Sequence, residues 1–294
     1  MHIVEIHGGL GNQMFQYAFA LALNDLYGDA YLDLARITRE STVHNGYELG
    51  RLFRISLPIC SDGDRRRLAD QSDSLFARGR RKLGIYRLSS CVEKDSNYNP
   101  RLQKLARDTY FSGYWQSYKY FEKAEGLVRE AFTFIQPMQN GNKRLLETAR
   151  GRPLLGVHVR RGDYQKNPNL GGVCERDYFL KAASIASQDF EHPLFIFFSD
   201  DLDWCRANLA ESLGECVYAD WNRGADSFED MRLMSFCDRL VMSNSSFSWW
   251  GAWLGRRDRC IVAPSRWFAE GYIDNRSIIP PEWTRVSVRE DKAI

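Results

Sequence analysis

The sequence predicts an α/β protein of two halves, the second built on a parallel sheet with helices on both faces. Three observations carry this. At 294 residues the chain is about two domains long at roughly 150 residues each. Its opening reads strand, glycine-rich turn, helix. Beyond Gly151-Arg152-Pro153, short apolar runs alternate with helical stretches, the pattern of crossovers between parallel strands.

His2–Ile6 is a short β-branched run, Gly8–Gly11 breaks it, and Gln13–Leu26 follows with strong helix formers. Met14, Tyr17, Ala18, Leu21 and Ala22 share one helical face. From Arg36 to Arg107 the pattern is too weak to assign elements. Lys119–Phe134 and Lys143–Arg150 read as helices, and the break at Gly151-Arg152-Pro153 places a boundary between domains 1–150 and 151–294. Leu154–Val159, Leu194–Phe198, Cys216–Ala219, Leu240–Ser243 and Cys260–Ala263 then read as strands. Arg176–Gln188, Leu202–Leu209, Ser227–Cys237 and Ser246–Leu254 read as the helices between them. Ligands of such sheets sit beyond the carboxyl ends of the strands, where this half carries its polar clusters.

Lys+Arg 40 against Asp+Glu 38 gives +2, which excludes nucleic-acid binding by bulk charge. Hydrophobic residues at 44% and charged residues at 27% exclude disorder. The seven cysteines are scattered with no C-x-x-C pair, so a reducing compartment with mostly buried thiols is expected rather than a disulfide framework or a zinc site. The N-terminus lacks a basic leader, and polar residues from His7 to Gln16 interrupt its apolar stretches, unlike a signal peptide or membrane span. A cytoplasmic location is expected.

Three clusters carry candidate chemistry. His158-Val159-Arg160-Arg161-Gly162-Asp163 follows a buried strand. Arginines there can hold a diphosphate and neutralise charge on a departing phosphate, and strand alternation aims Arg160 and Arg161 apart. A salt bridge to Asp163 is the purely structural alternative. Ser243-Asn244-Ser245-Ser246-Phe247-Ser248 places four hydroxyls at a strand-to-helix turn, a setting for anion binding at a helix N-terminus. Trp249, Trp250 and Trp253 behind it read as core. The third cluster, His7-Gly8-Gly9-Leu10-Gly11-Asn12-Gln13, allows close backbone approach to a phosphate without matching G-x-G-x-x-G. Of the two D-x-D triplets, Asp62-Gly63-Asp64 reads as a surface turn and Asp201-Leu202-Asp203 as a helix start; neither is assigned a metal, and no cofactor is expected.

At these residues the sequence resembles the α-1,2-fucosyltransferases of glycosyltransferase family 11. The resemblance rests on Gly8–Tyr17, His158–Asp163 as H-x-R-R-x-D, Phe198-Ser199-Asp200-Asp201 and Ser243–Gly251. It implies a GT-B fold, two Rossmann-like domains facing each other across a cleft, with the donor on the C-terminal one. It also implies transfer of L-fucose from GDP-β-L-fucose to a galactose 2-hydroxyl, inverting and without metal. By similarity to related fucosyltransferases, His158 and Asp230 match guanine-binding positions, Arg161 the arginine on the β-phosphate, and Asn12 a donor-site asparagine. Gly9, Gly11, Arg160, Ser199, Asp200, Asn244, Ser245, Ser246 and Phe247 enter as further donor-binding candidates from the same motifs. Arg161, Asn12 and Asp163 are the catalytic candidates, with Asp163 open between general base and orienter of Arg161. Transfer of another linkage or GDP-sugar remains open, as does a non-enzymatic carbohydrate-binding protein, against which the paired arginines and serines argue. The expected acceptor is a galactose-terminated oligosaccharide or lipid-linked glycan. The basic run Arg78–Lys82 is either a solvated loop or a weak contact with an anionic inner membrane.

Overall fold

The computed structural model describes residues 1–39, 45–72, 74–269 and 277–288. The chain divides into two compact units, Met1–Ile135 and Gln136–Ile294.

The first unit runs β1 (His2–Glu5), α1 (Leu10–Tyr27), β2 (Ala30–Asp33), α2 (Ala35–Arg39), α3 (Leu49–Leu52), α4 (Asp62–Leu68), α5 (Leu75–Lys82), β3 (Ser90–Val92), β4 (Thr109–Ser112) and α6 (Glu125–Ala131). Its sheet has the order β2-β1-β4-β3, with every pairing parallel. Helix α1 starts at Leu10, three residues before the expected Gln13, because Gly9 serves as its N-cap in extended backbone. It ends at Gly28, whose φ of 70° places it in the left-handed region that glycine tolerates. The single helix expected over Lys119–Phe134 is instead two 3₁₀ turns, Tyr118–Tyr120 and Glu122–Ala124, leading into α6. Tyr120 and Phe121 cause the break by turning into the core, with ring centroids 5.0 Å from Phe19 and 6.2 Å from Phe15 respectively.

The second unit runs α7 (Asn140–Thr148), β5 (Leu154–Val159), α8 (Arg176–Ser187), β6 (Leu194–Ser199), α9 (Leu202–Asn208), α10 (Ala210–Leu213), β7 (Cys216–Tyr218), α11 (Phe228–Met234), β8 (Arg239–Val241), α12 (Ser246–Leu254), β9 (Ile261–Pro264) and β10 (Thr284–Val286). Its sheet is β10-β9-β8-β5-β6-β7, again all parallel. All six residues of β5 are buried, as a central strand covered on both faces requires. Leu155, Val157 and Val159 pack with Phe179, Ala182 and Ala183 of α8 in one core. Of the tryptophans expected in the core, Trp249 and Trp250 are fully buried, 4.9 Å apart between centroids, and Trp253 is half-buried.

The division between units falls before α7 rather than after it, at the Gly151 break. Buried Asn142 explains this, because its amide donates to Glu229 O at 3.1 Å and Glu229 Oε2 at 2.9 Å and fastens α7 to α11. Among the described residues no helix is long and apolar enough to cross a membrane.

Candidate active site

The conserved geometry of a doubly wound sheet directs attention to the carboxyl ends of β5, β6 and β8, adjacent strands in the second unit. At the end of β5, His158 is buried, and its Nδ1 lies 2.8 Å from Ser243 Oγ. Burial, and then the positive charge of Arg160, push this imidazole down to about 3, so it is neutral at ordinary pH. Its ring stands 6.0 Å from that of Phe247.

The two arginines diverge, and both lie beyond Val159, the last residue of β5, so the loop rather than strand alternation directs them. Arg160 pairs with Asp163 at 2.8 Å and with Asp200 at 3.3 Å. Arg161 lies over the Trp204 ring at 4.0 Å, with Glu175 and Asp201 carboxylates each at 3.5 Å. Its side chain is 13% exposed, against 33% for Arg160. Asp163 therefore pairs with Arg160, whereas orientation of Arg161 was one of its expected roles; Glu175, Asp201 and Trp204 surround Arg161 instead. Asp200, expected to face the donor, ties the loop together by accepting from the Arg161 backbone N–H at 2.9 Å. Ser199 Oγ accepts from Asp201 N at 2.9 Å and shapes the same turn.

The serine turn is mostly internally bonded. Ser243 holds His158, Ser245 caps α12 by accepting from Phe247 N at 3.3 Å, and Ser248 donates to Ser245 O at 3.2 Å. Asn244 donates to Leu170 O at 3.1 Å and Trp267 O at 2.9 Å, so its amide braces neighbouring loops. Ser246 and Phe247 are half-buried in the first turn of α12. Tyr164, its phenol pushed up to about 12 mainly by burial, bonds Ser245 and links the serine turn to the arginine loop.

A cavity of about 390 Å³ opens beside this cluster, lined by Ser199, Asp200, Asp201, Asn222, Arg223 and Asp230 among others. Asp230, in the first turn of α11, is pushed up to about 7, mainly by burial and further by the Glu229 charge. Asn222 opposes that shift by donating to Asp230 Oδ1 at 2.8 Å. Asn222 is itself buried, its Nδ2 also donates to Asn142, and its Oδ1 has no hydrogen-bond partner. Asn222 escapes motif reading. Its position just beyond the carboxyl end of β7 is the signal that points to it.

In the first unit the glycine turn is shaped from within. Gly8 has φ +79°, and a Cβ there would come 2.9 Å from Asn12 Nδ2. Asn12 Oδ1 accepts from Gln116 Nε2 at 2.7 Å. Gln13 donates to Gly8 O and Gly46 O, both at 2.9 Å, and Gln16 donates to Gly113 O at 3.0 Å. Gly9 and Asn12 are half-buried and Gly11 is buried.

Asp201 caps α9, as expected, by accepting from Trp204 N at 3.1 Å. Asp62-Gly63-Asp64 lies at the surface as expected, but as the first turn of α4, because Ser61 caps that helix through Asp64 N at 3.0 Å. Among the described residues no three His, Cys, Asp or Glu side chains converge on a point that suits a metal ion. All seven cysteines are free; Cys174, Cys205 and Cys237 are buried and the other four half-buried.

Comparison with known proteins matches residues 93–287 to the model of glycosyl transferase family 11. The chain is 29% identical to an alpha-1,2-colitosyltransferase of Escherichia coli, over 97% of this chain and 98% of the relative. It is 29% identical to galactoside alpha-(1,2)-fucosyltransferase 1 of Ateles belzebuth, over 95% of this chain and 73% of the relative. The crystal structure of NodZ alpha-1,6-fucosyltransferase soaked with GDP-fucose superposes with a TM-score of 0.54 at 15% identity, covering 93% of this chain and 98% of that one. The two parallel-sheet units are thus those of the GT-B fold. With the family model spanning well over half its length, the chain belongs to glycosyl transferase family 11.

Proposed function

We propose that this glycosyltransferase moves L-fucose from GDP-β-L-fucose to the 2-hydroxyl of a galactose residue in a glycan, with inversion and without a metal ion. The observation that carries the reading is the arginine loop: Arg160 and Arg161, seated by Asp200 and Asp201 at the carboxyl end of β5, beside the capped N-terminus of α12. Two guanidinium groups and a helix N-terminus beyond the carboxyl ends of the strands offer hydrogen-bond donors that suit a nucleoside diphosphate leaving group. Asp230, with Asn222 beside it, offers acceptors for the two donors on the guanine edge, and His158 and Phe247 complete the base side. Ser199, Ser245 and Ser246 flank the diphosphate. In the first unit, the acceptor-side half of this reading, Asn12, Gly9 and Gly11 are assigned to the donor sugar by the family motif they match.

In this mechanism the bond between the anomeric carbon and the phosphate oxygen breaks first, its electron pair leaving with GDP. The galactose 2-oxygen then attacks the opposite face of an oxocarbenium-like sugar, and its proton passes to solvent water. Stabilising the departing diphosphate dominates the barrier, and Arg161 carries that role. Asp163, paired with Arg160, holds that arginine toward the diphosphate. A second reading, transfer of colitose, is favoured by the E. coli relative that matches this chain along nearly its whole length.

One experiment separates these. GDP-fucose and the GDP-activated form of colitose are each offered with a panel of galactosides in excess EDTA, and products are examined by NMR. An α-1,2-fucosyl galactoside is expected from the first donor. Turnover of the colitose donor alone establishes the second reading, and loss of activity in EDTA overturns the metal-free mechanism.

A further inference from the structure

Helix α5 is built inside out. Its inward face is Ala77 with Arg80 and Arg81: Arg80 forks onto both Asp70 oxygens at 2.6 Å, and Arg81 donates to the Asp70 and Ser72 carbonyls at 3.0 and 2.8 Å. Those bonds turn the apolar side of the helix outward. Leu75 is 86% exposed, Phe76 82% and Leu83 78%, and Leu88 just beyond is 80% exposed. Soluble surfaces rarely gather so many large apolar side chains within fourteen residues.

Within residues 74–92 the charge has one sign. No acidic residue stands between Ser74 and Val92, while Arg78, Lys82 and Arg87 are exposed alongside the apolar residues. Arg87 also lines a cavity of about 750 Å³ together with Arg39 and Arg66, where Arg65 is already paired with Asp33 and Asp62. Two copies of this chain meeting face to face would oppose like charges, since a twofold interface pairs each patch with itself. An anionic bilayer supplies both things the face lacks, phosphates for the cations and an acyl boundary for the apolar side chains.

We infer that the surface formed by Leu75, Phe76, Leu83 and Leu88 with Arg78 and Lys82 docks this protein onto an anionic phospholipid membrane. The inward arginines play no part in it, because Asp70 already holds them. The inference stands apart from the identity of the transferred sugar.

The test is co-sedimentation of the full chain with vesicles of equimolar phosphatidylglycerol and phosphatidylcholine, against vesicles of phosphatidylcholine alone. Binding is expected to the first and to be roughly tenfold or more weaker to the second. Both Leu75→Ser/Phe76→Ser/Leu83→Ser and Arg78→Glu/Lys82→Glu should lose binding, with thermal melting and transfer to a soluble acceptor unchanged. Failure to sediment with anionic vesicles, or equal sedimentation of wild type and both folded variants, overturns the inference. So does light scattering that shows a wild-type dimer dissociated by the serine variant, which assigns the face to self-association.

Discussion

Asn222 donates a hydrogen bond of 2.8 Å to Asp230, and this bond opposes the burial that pushes the carboxyl up to about 7. The folded protein thus prefers a protonated Asp230 over a window where the unfolded chain ionises it. A raised carboxyl contributes stability in acid that is lost as pH rises from the ordinary carboxylate range to about 7. Asp230→Asn removes that dependence, so its melting temperature relative to wild type should climb across this window. The two guanine donors need the ionised form. GDP affinity, measured by calorimetry, should therefore tighten from about pH 6 to about pH 8 in wild type and stay flat in Asp230→Asn. Parallel titrations for the two proteins would detach Asp230 from the base.

Arg161 has its guanidinium stacked on Trp204 and flanked by two carboxylates, a fixed fork rather than a mobile charge. Arg161→Ala should lower kcat by about 10²–10³ at saturating donor, the usual loss when a group that stabilises developing charge is removed. Arg161→Lys should recover little of it, because an ammonium cannot reproduce the planar fork. Near wild-type turnover in the alanine variant would end the leaving-group assignment.

How much of this was legible in the chain varies with the element. Strands β5 and β6 announce themselves as predominantly apolar runs, interrupted only by His158 and ending at Ser199, because both faces are covered. In the first unit β2, β3 and β4 are three or four residues long and interleaved with Asp33, Ser90 and Thr109, too short for any period to emerge. The arginine loop was found because position on a parallel sheet is itself a signal. What each side chain does there was not, since Asp163 and Asp200 choose partners through loop geometry. Asn244 and Gln13 have ligand-binding side chains by type, yet bond to backbone carbonyls. Asn222 is fixed both by Asp230 and by Asn142 of α7, eighty residues upstream, a long-range contact that no local pattern announces.

His158 is held neutral by burial and by Arg160, with Ser243 as its hydrogen-bond partner. A histidine with a lowered folded pKa destabilises the fold as pH drops below its unfolded value, since only the unfolded chain takes the proton readily. Its imidazole resonances should accordingly show no titration near neutral pH in the folded protein. Ser243→Ala leaves a buried ring nitrogen without its partner and should cost about 1–3 kcal/mol in urea unfolding. A titration midpoint near 6.5 would show that the ring is solvated.

Gly162 stands so close to Asp200 that a Cβ there would come 2.7 Å from Oδ2, the oxygen that also faces Arg160. Gly162→Ala must therefore displace the carboxylate that seats both arginines, through the Arg160 side chain and the Arg161 backbone. A loss of about 1–3 kcal/mol in stability is expected, as for other overpacked sites, together with a fall in kcat. The three nearest contacts of that Cβ all belong to Asp200, the last of them the Asp200 Cβ at 3.9 Å. In an Asp200→Ala background the added methyl group thus meets only an ordinary van der Waals contact. The glycine substitution should then cost little further, making the pair strongly non-additive in a double-mutant cycle. Additivity within about 0.5 kcal/mol would mean that the glycine is required for some reason other than room for Asp200.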